Sequence, residues 1–262
     1  MEREAITFSF GENWRDYVET VSEDSVRRAR SDIEAWVGAE RVRGKTVLDL
    51  GCGSGIHSLC YHLLGAREIL SLDIDPYSVE ATRVLWEKAG KPATWKIMQG
   101  SVLDAEFVRG LGRHEMVYSW GVLHHTGSMW EAIANAATTV APGGLFWIAL
   151  YVKGPKYPEH LAQKRAYNRA SWLGKKWMVW KHIAGLMRER RRAGLNPFTW
   201  NEKYGRGMDV YHDLIDWLGG LPYEVASKSE VVDFCAERGF VLEKVEELPE
   251  GGCNIYLFSL PA

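Results

Sequence analysis

Two short stretches of this sequence carry residues that could do chemistry together: Val47-Leu-Asp-Leu-Gly51-Cys-Gly53-Ser-Gly55, and Asp73 further on. A Gly-rich turn after an apolar run lets the backbone approach a nucleotide, because no Cβ blocks it and glycine accepts positive φ. The spacing is GxGxG, and Ile56 stands where a dinucleotide fingerprint has Gly or Ala. That favours a smaller ligand without a pyrophosphate. A carboxylate at Asp73 would accept both ribose hydroxyls, and a surface acid beside a helix is the plainer alternative. Two histidine groups could supply a base. His124 and His125 follow an apolar run, and Tyr211-His212-Asp213 with Asp216 and Trp217 form a second polar cluster. On a helix His212 and Asp216 would share a face, and an acid there would raise the basicity of the histidine. Loop shaping by the first pair and helix capping by the second are the structural alternatives.

These residues need a scaffold, and the chain supplies one by alternation. Thr46–Asp49, Ile69–Asp73, Thr94–Gln99, Met116–Trp120 and Leu145–Val152 are short apolar or β-branched runs with helical patterns among them. That rhythm predicts βαβ crossovers and a parallel sheet covered on both faces. Asp75 with Pro76 starts one helix and Gly90 closes it. Ser128 to Glu131 fits a capping box for a helix running to about Val140, ahead of Pro142-Gly143-Gly144. Before the first strand, one amphipathic helix over 22–37 carries Val26, Ala29, Ile33 and Trp36 at helical spacing. Phe8, Phe10, Asn13, Trp14 and Tyr17 form an aromatic-polar group able to close over a ligand or to pack as core.

Past Val152 the rhythm breaks. A helix is expected over 159–192, broken at Gly174, with Leu173, Trp177, Trp180, Ala184 and Met187 on one face. Residues 153–206 hold fourteen Lys and Arg against three Glu, a net of +11 in a chain whose formal charge is −2. Such asymmetry marks an insert facing an anionic ligand or membrane surface. A helix near 228–238 with Gly239 as terminator and two strands, 240–245 and 254–260, complete the chain. Glu250-Gly251-Gly252 turns between these strands, giving an antiparallel hairpin. The expected organisation is 1–152 as lead-in and nucleotide-binding core, 153–225 as a basic, Trp-rich helical cap, and 226–262 as completion of the core sheet.

Composition fits this plan. The chain has 262 residues, 46% hydrophobic and 25% charged, which suits a globular protein with one large domain or a core bearing an inserted cap. Twelve Trp suggest a heavy core or a pocket for flat or cationic ligands. The N-terminus does not resemble a signal peptide, so the mature protein is expected to start there. The longest apolar run is far short of the roughly 20 residues that span a bilayer. Cys52, Cys60, Cys235 and Cys253 show no zinc or disulfide spacing, so no metal is expected and a reducing cytoplasm fits best.

The stretches VLDLGCGSG, SLDIDP at 71–76, QGSVLD at 99–104 and YSWGVLHH at 118–125 resemble the class I S-adenosylmethionine (SAM)-dependent methyltransferase superfamily. The resemblance covers residues 44–152 and 228–260 and is nearest in style to the small-molecule, ubiquinone-biosynthesis-like branch. It implies an α/β, Rossmann-like seven-stranded sheet with a C-terminal β-hairpin and a helical cap after strand 5. It also implies SAM as cofactor, with S-adenosylhomocysteine as product. Gly51, Gly53 and Gly55 would hold the methionine and ribose portion, Asp73 with Ile74 the ribose, and Ser101 and Val102 would border the adenine. Many relatives carry Asp where Ser101 stands, so the adenine contact would pass through the hydroxyl, the backbone or Asp104. Asp49 would meet the ammonium group of the cofactor, or cap backbone amides. Trp120 would border the sulfonium or the acceptor by a cation–π contact, or serve as core.

Methyl transfer is an in-line displacement, so alignment supplies much of the acceleration, and an alcohol or phenol must also lose its proton. Histidine suits that task, with His125 preferred slightly over His124 and with His212 reached from the cap. Trp14, Tyr151, Tyr211 and Asp213 are the expected acceptor contacts. The expected activity is methylation of a hydroxyl oxygen on a small molecule. The alternatives are S-methylation of a small thiol or sulfide, RNA methylation along the basic insert, and a non-catalytic SAM-binding or membrane-interface protein. The insert lacks an RNA-binding module and interleaves its cations with Trp, which disfavours nucleic acid.

Overall fold

The computed structural model describes residues 10–201 and 207–262. Phe8, Glu202, Lys203 and Arg206, which figure in the expectations above, lie outside these. Seven strands form one sheet in the order β3-β2-β1-β4-β5-β7-β6. They are β1 Thr46–Leu50, β2 Glu68–Asp73, β3 Trp95–Gln99, β4 His114–Trp120, β5 Val140–Tyr151, β6 Val241–Glu246 and β7 Cys253–Ser259. The first five pair in parallel, while β7 runs antiparallel to both β5 and β6. The parallel rhythm and the closing hairpin read from the sequence are therefore the observed sheet.

Both faces of the sheet are buried, as parallel sheets require. Alternate side chains divide between them. Val47, Met116, Tyr118 and Trp147 pack with α2 (Glu23–Trp36), α3 (Ile56–Leu63) and α4 (Pro76–Lys88). Leu48, Val117, Phe146 and Ile148 pack with α5 (Ala105–Gly110), α6 (Met129–Ala137) and α10 (Lys228–Ala236).

Of the two predicted helix starts, one is capped as expected and one is not, and α2 has a cap that was not predicted. Asp75 accepts from the Tyr77 amide at 2.9 Å with Pro76 in the first turn, and Gly90 follows the helix with φ 86°. Ser22 caps α2 through a capping box. Ser128 makes no side-chain cap on α6; the Met129 amide donates instead to Glu224, 3.1 Å away and far along the chain. α6 also stops at Ala137, and the expected turn at Pro142-Gly143-Gly144 lies within β5. The end of the chain makes this possible: the Gly143 amide donates to Leu260 O and the Leu260 amide to Gly144 O.

Two further differences shape the site. The lead-in holds two helices, because α1 (Phe10–Thr20) precedes α2. Gly11 lets α1 settle on α4: its amide donates to Asp75 Oδ2 at 2.9 Å, and a Cβ there would lie 2.5 Å from Asp75 Oδ1. The insert is α7 (Tyr157–Arg169), α8 (Trp172–Arg192) and α9 (Val210–Gly219). The break falls at Ala170-Ser171, where the Ser171 side chain caps α8 by accepting from the Gly174 amide, so Gly174 lies inside the first turn. Within α8 the buried residues are Val179 and Ile183, whereas Leu173, Trp177 and Trp180 are exposed.

Candidate functional site

The carboxyl ends of β1, β2, β4 and β5 open into a cavity of about 520 Å³ that the insert and α1 cover. Open α/β sheets bind ligands at this edge. One wall is built by Gly51 with Asp73, Ile74, Ser101 and Val102. Another is built by Trp120, His125, Tyr151, Asp213 and, from α1, Trp14. Asp49 and Gly53 line a small adjoining recess that shares Trp14, Gly51 and Trp120 with the main cavity.

The glycine turn is conformationally demanding. Gly51 and Gly53 have φ of 78° and 54°, where L side chains are strained. At Gly51 a Cβ would also lie 2.4 Å from Val122 Cγ2, and at Gly53 it would lie 3.0 Å from the Trp14 ring. This close approach of backbone, indole and strand end leaves the turn's amides near the ligand space, a fit to a nucleoside-bearing cofactor. Gly55 serves packing. Its φ is 78°, it lies off the cavity wall, and a Cβ there would strike Thr82 at 2.8 Å.

Asp73 receives the Gly53 amide at 3.0 Å on Oδ2 and the Asp75 amide at 2.9 Å on Oδ1. Burial pushes its pKa up to about 6, against the pull of those two backbone donors. Asp49 is buried at the end of β1 and ends a polar chain. Trp95 Nε1 donates to Ser71 Oγ at 2.8 Å, Ser71 and Ser58 hydroxyls meet at 2.6 Å, and Ser58 Oγ donates to Asp49 Oδ2 at 2.6 Å. Desolvation raises Asp49 to about 7, opposed by the Ser58 hydrogen bond, with Asp73 adding to the rise.

At the residues expected to border adenine, Ser101 Oγ accepts from the Leu103 amide at 3.1 Å, and Val102 O accepts from Asn135 Nδ2 at 2.9 Å. Asp104 does not reach this wall. It caps α5, accepting from the Phe107 amide at 3.0 Å.

The three histidines occupy different settings. His125 lies on the cavity wall, and its Nδ1 donates to Pro222 O at 2.7 Å, which leaves the Nε2 lone pair as the acceptor. Burial holds it neutral, lowering its pKa to about 3, with nearby Lys164 acting in the same direction. Gly220 packs on this ring; a Cβ there would lie 2.6 Å from His125 Cε1. His124 is fully buried behind His125 and off the wall. Its Nδ1 accepts the Tyr151 amide at 3.2 Å, so the proton sits on Nε2, and burial lowers its pKa well below normal. His212 also lies off the wall. It pairs with Asp209, Nδ1 to Oδ2 at 2.8 Å, and not with Asp216, whose Oδ1 accepts from Asn13 Nδ2 at 2.7 Å. Asp209, as N-cap of α9, is the nearer acid. Tyr211 is 39% exposed and absent from the wall, whereas Asp213, two residues on, faces it.

Several wall residues escaped the sequence reading. Asp32 and Trp36 come from α2, Gly251 and Gly252 from the turn ahead of β7, and Cys253 from its start. Register explains the second group: Cys253 pairs with Tyr151, so the hairpin turn lies at the carboxyl edge of β5. An antiparallel last strand beside β5 was the signal available. Behind the wall lies Lys164, fully buried, with Nζ 5.2 Å from the Tyr151 ring and 4.7 Å from the Trp217 and Tyr223 rings. It donates to Trp217 O, and burial lowers its pKa to about 7. Among the described residues, no cluster of His, Cys, Asp or Glu is gathered to hold a metal, and no helix is long and apolar enough to cross a membrane.

Comparison with known proteins points the same way. The family profile for ribosomal protein L11 methyltransferase (PrmA) matches residues 34–104. A ubiquinone biosynthesis O-methyltransferase of Methylobacterium sp. (strain 4-46) is 31% identical over 113 residues, 43% of each chain. A ribosomal protein L11 methyltransferase of Pseudomonas putida (strain F1) is 37% identical over 84 residues, 29% of each. The matches thus span less than half the length of these curated relatives. In fold, the chain is similar to the magnesium protoporphyrin IX methyltransferase of Synechocystis PCC 6803 with bound S-adenosylhomocysteine (TM-score 0.56, 16% identity, covering 95% of this chain and 93% of that one). PKMT2 of Rickettsia typhi, in complex with the same product, gives a TM-score of 0.55 at 12% identity, covering 83% and 49%.

Proposed function

We propose, from the premise that this chain is a class I SAM-dependent methyltransferase in fold and in the sequence of its nucleotide-binding half, that it methylates a hydroxyl oxygen of a small molecule. The observation that carries the reading is one cavity with the glycine turn and Asp73 on one wall and His125, its Nδ1 tied to Pro222 O, on another. SAM supplies an activated methyl on a sulfonium. Gly51 and Gly53 would hold its methionine and ribose portion, Asp73 with Ile74 its ribose, Ser101 and Val102 its adenine, and Asp49 its ammonium group. Trp120 would flank the sulfonium. The match to the L11 methyltransferase profile ends at Asp104, ahead of β4, so it bears on the cofactor half and not on the acceptor.

The acceptor would lie among Trp14, Tyr151 and Asp213, with its hydroxyl on His125 Nε2. A neutral imidazole whose other nitrogen is tied to Pro222 O is pre-oriented to accept that hydrogen bond and aim an oxygen lone pair. The hydroxyl proton grows strongly acidic as its oxygen bonds the methyl, so an imidazole of low basicity suffices to take it. His124 is better suited to holding the β5 end, and His212 to capping α9. Residues 153–225 are assigned to the acceptor, and residues 1–152 with 226–262 to the cofactor, with Trp14, His125 and Tyr151 reaching the acceptor from that core. The four free cysteines, all buried, suit a reducing compartment such as the cytoplasm.

The test is a screen with SAM and a library of phenols, alcohols, amines, thiols and purified ribosomal protein, reading S-adenosylhomocysteine release. Release driven by a phenol or alcohol is expected. Release driven only by a thiol, an amine or the ribosomal protein would replace the hydroxyl reading.

A further inference from the structure

We propose that α8 docks this protein onto an anionic lipid bilayer, a property separate from methyl transfer. The helix is apolar on two sides. Val179 and Ile183 pack inward with Tyr167 and Leu218. Leu173, Trp177, Trp180 and Ala184, spaced by four, three and four residues, share a second face turned roughly 110° from the first. Leu173, Trp177 and Trp180 are 69, 65 and 60% exposed, and Trp172, in the first turn, is 66% exposed. A surface helix of a globular protein turns charges to water on that side. Exposed apolar residues continue beyond the helix, with Leu195 at 53% and Phe198 at 80%.

Charge identifies the partner. α8 carries seven Lys and Arg and a single acid, Glu189. Lys176 Nζ lies 3.8 Å over the Trp172 ring and Lys181 Nζ 5.5 Å over the Trp177 ring, so cations border the stripe itself. Arg188, Arg191 and Arg192 follow toward the C-terminal end. Indoles bordered by ammonium groups on a helix lying flat match the interface of a bilayer, where rings sit at headgroup depth and cations meet anionic lipid. A second copy of the same face would set cation against cation. A nucleic acid would meet the cations and leave Leu173 and Ala184 in water. At roughly 1.5 Å per residue the helix offers a straight edge of about 30 Å, suited to a plane.

The test is co-sedimentation of the full chain with vesicles of phosphatidylcholine alone or mixed with phosphatidylglycerol, with S-adenosylhomocysteine affinity as the check that each variant is folded. Binding to the anionic vesicles is expected, at least about tenfold stronger than to the neutral ones and weakened by salt. The pair Trp177→Ser and Trp180→Ser, and the pair Lys176→Glu and Lys181→Glu, should each reduce it about tenfold while leaving product affinity unchanged. Wild-type protein that ignores anionic vesicles would overturn the proposal. So would folded variants that bind them as well as wild type, or a dimer in gel filtration that the Trp pair dissociates.

Discussion

The turn at the end of β1 and the helical insert above it solve opposite problems. In the turn, positive φ and a neighbour within 3.0 Å of each hypothetical Cβ, Val122 at Gly51, the Trp14 indole at Gly53 and Thr82 at Gly55, fix each glycine in place, so the structure tolerates almost no variation there. In the insert, cavity contact is made by Met208 and one face of α9, while α8 packs through buried Val179 and Ile183 with half-buried Met178 and Met187 and presents Trp172, Trp177 and Trp180 outward. A ligand common to many proteins can be held by backbone geometry. A particular acceptor, or a surface, must be recognised by side chains that are free to differ.

If that division is right, the variant with the largest effect is His125→Ala. Turnover with a confirmed hydroxyl acceptor should fall about 10²-fold, toward the lower end for general-base loss because the imidazole is weakly basic. Product affinity should stay within about twofold. Equal losses of turnover and product affinity would mean that His125 serves the cofactor and not the acceptor alone, and would blur the two roles. Next is Asp73→Ala, which should weaken S-adenosylhomocysteine binding at least about tenfold, since a charged hydrogen bond is worth about 1.5–3 kcal/mol. Calorimetry giving wild-type affinity would remove Asp73 from the ribose.

A smaller effect should appear with pH. Asp49 and Asp73 have raised values of about 7 and about 6, so each takes up a proton as pH falls through that range and loses its charge. Cofactor affinity should therefore drop several-fold between about pH 8 and 5. His125, lowered to about 3, should contribute nothing to that limb, so His125→Ala should keep the same affinity profile. A limb that vanishes in that variant would reassign the titration. The smallest effect is expected from replacing Arg190, Arg191 and Arg192 together with Ser, which should leave cofactor affinity within about twofold of wild type. Collapse of binding in a folded variant would mean that the insert serves the cofactor as well.

Legibility followed contiguity. Gly51, Gly53 and Asp73 could be read because a strand end, a tight turn and the next strand end are each a short local pattern. Asp104 stood as one of three candidates for the adenine contact because one carboxylate can cap a helix or face a ligand, and here it caps α5 through the Phe107 amide. The expected His212–Asp216 pair obeyed helical spacing, yet Asp209 caps the same helix and lies closer, while Asn13 of α1 takes Asp216. Tertiary partners of this kind leave no mark at fixed spacing. Nor did the stripe on α8: Leu173, Trp177 and Trp180 have the periodicity of a packed face, and periodicity does not say whether that face meets the core or solvent.

The hydroxyl chain from Trp95 to Asp49 has a direction. An indole can only donate and an ionised carboxylate can only accept, so both serine protons must point toward Asp49. A proton on the oxygen facing Ser58 would turn the Ser58 hydroxyl round, so that Ser71 Oγ, with two lone pairs, would accept from both Ser58 and Trp95 and lose the partner of its own hydrogen. The indole thus helps to hold the chain in the sense that suits a charged residue two strands away. Trp95→Phe would remove the donor that polarises the chain, so Asp49 should hold its proton to slightly higher pH and the affinity limb should move upward with it.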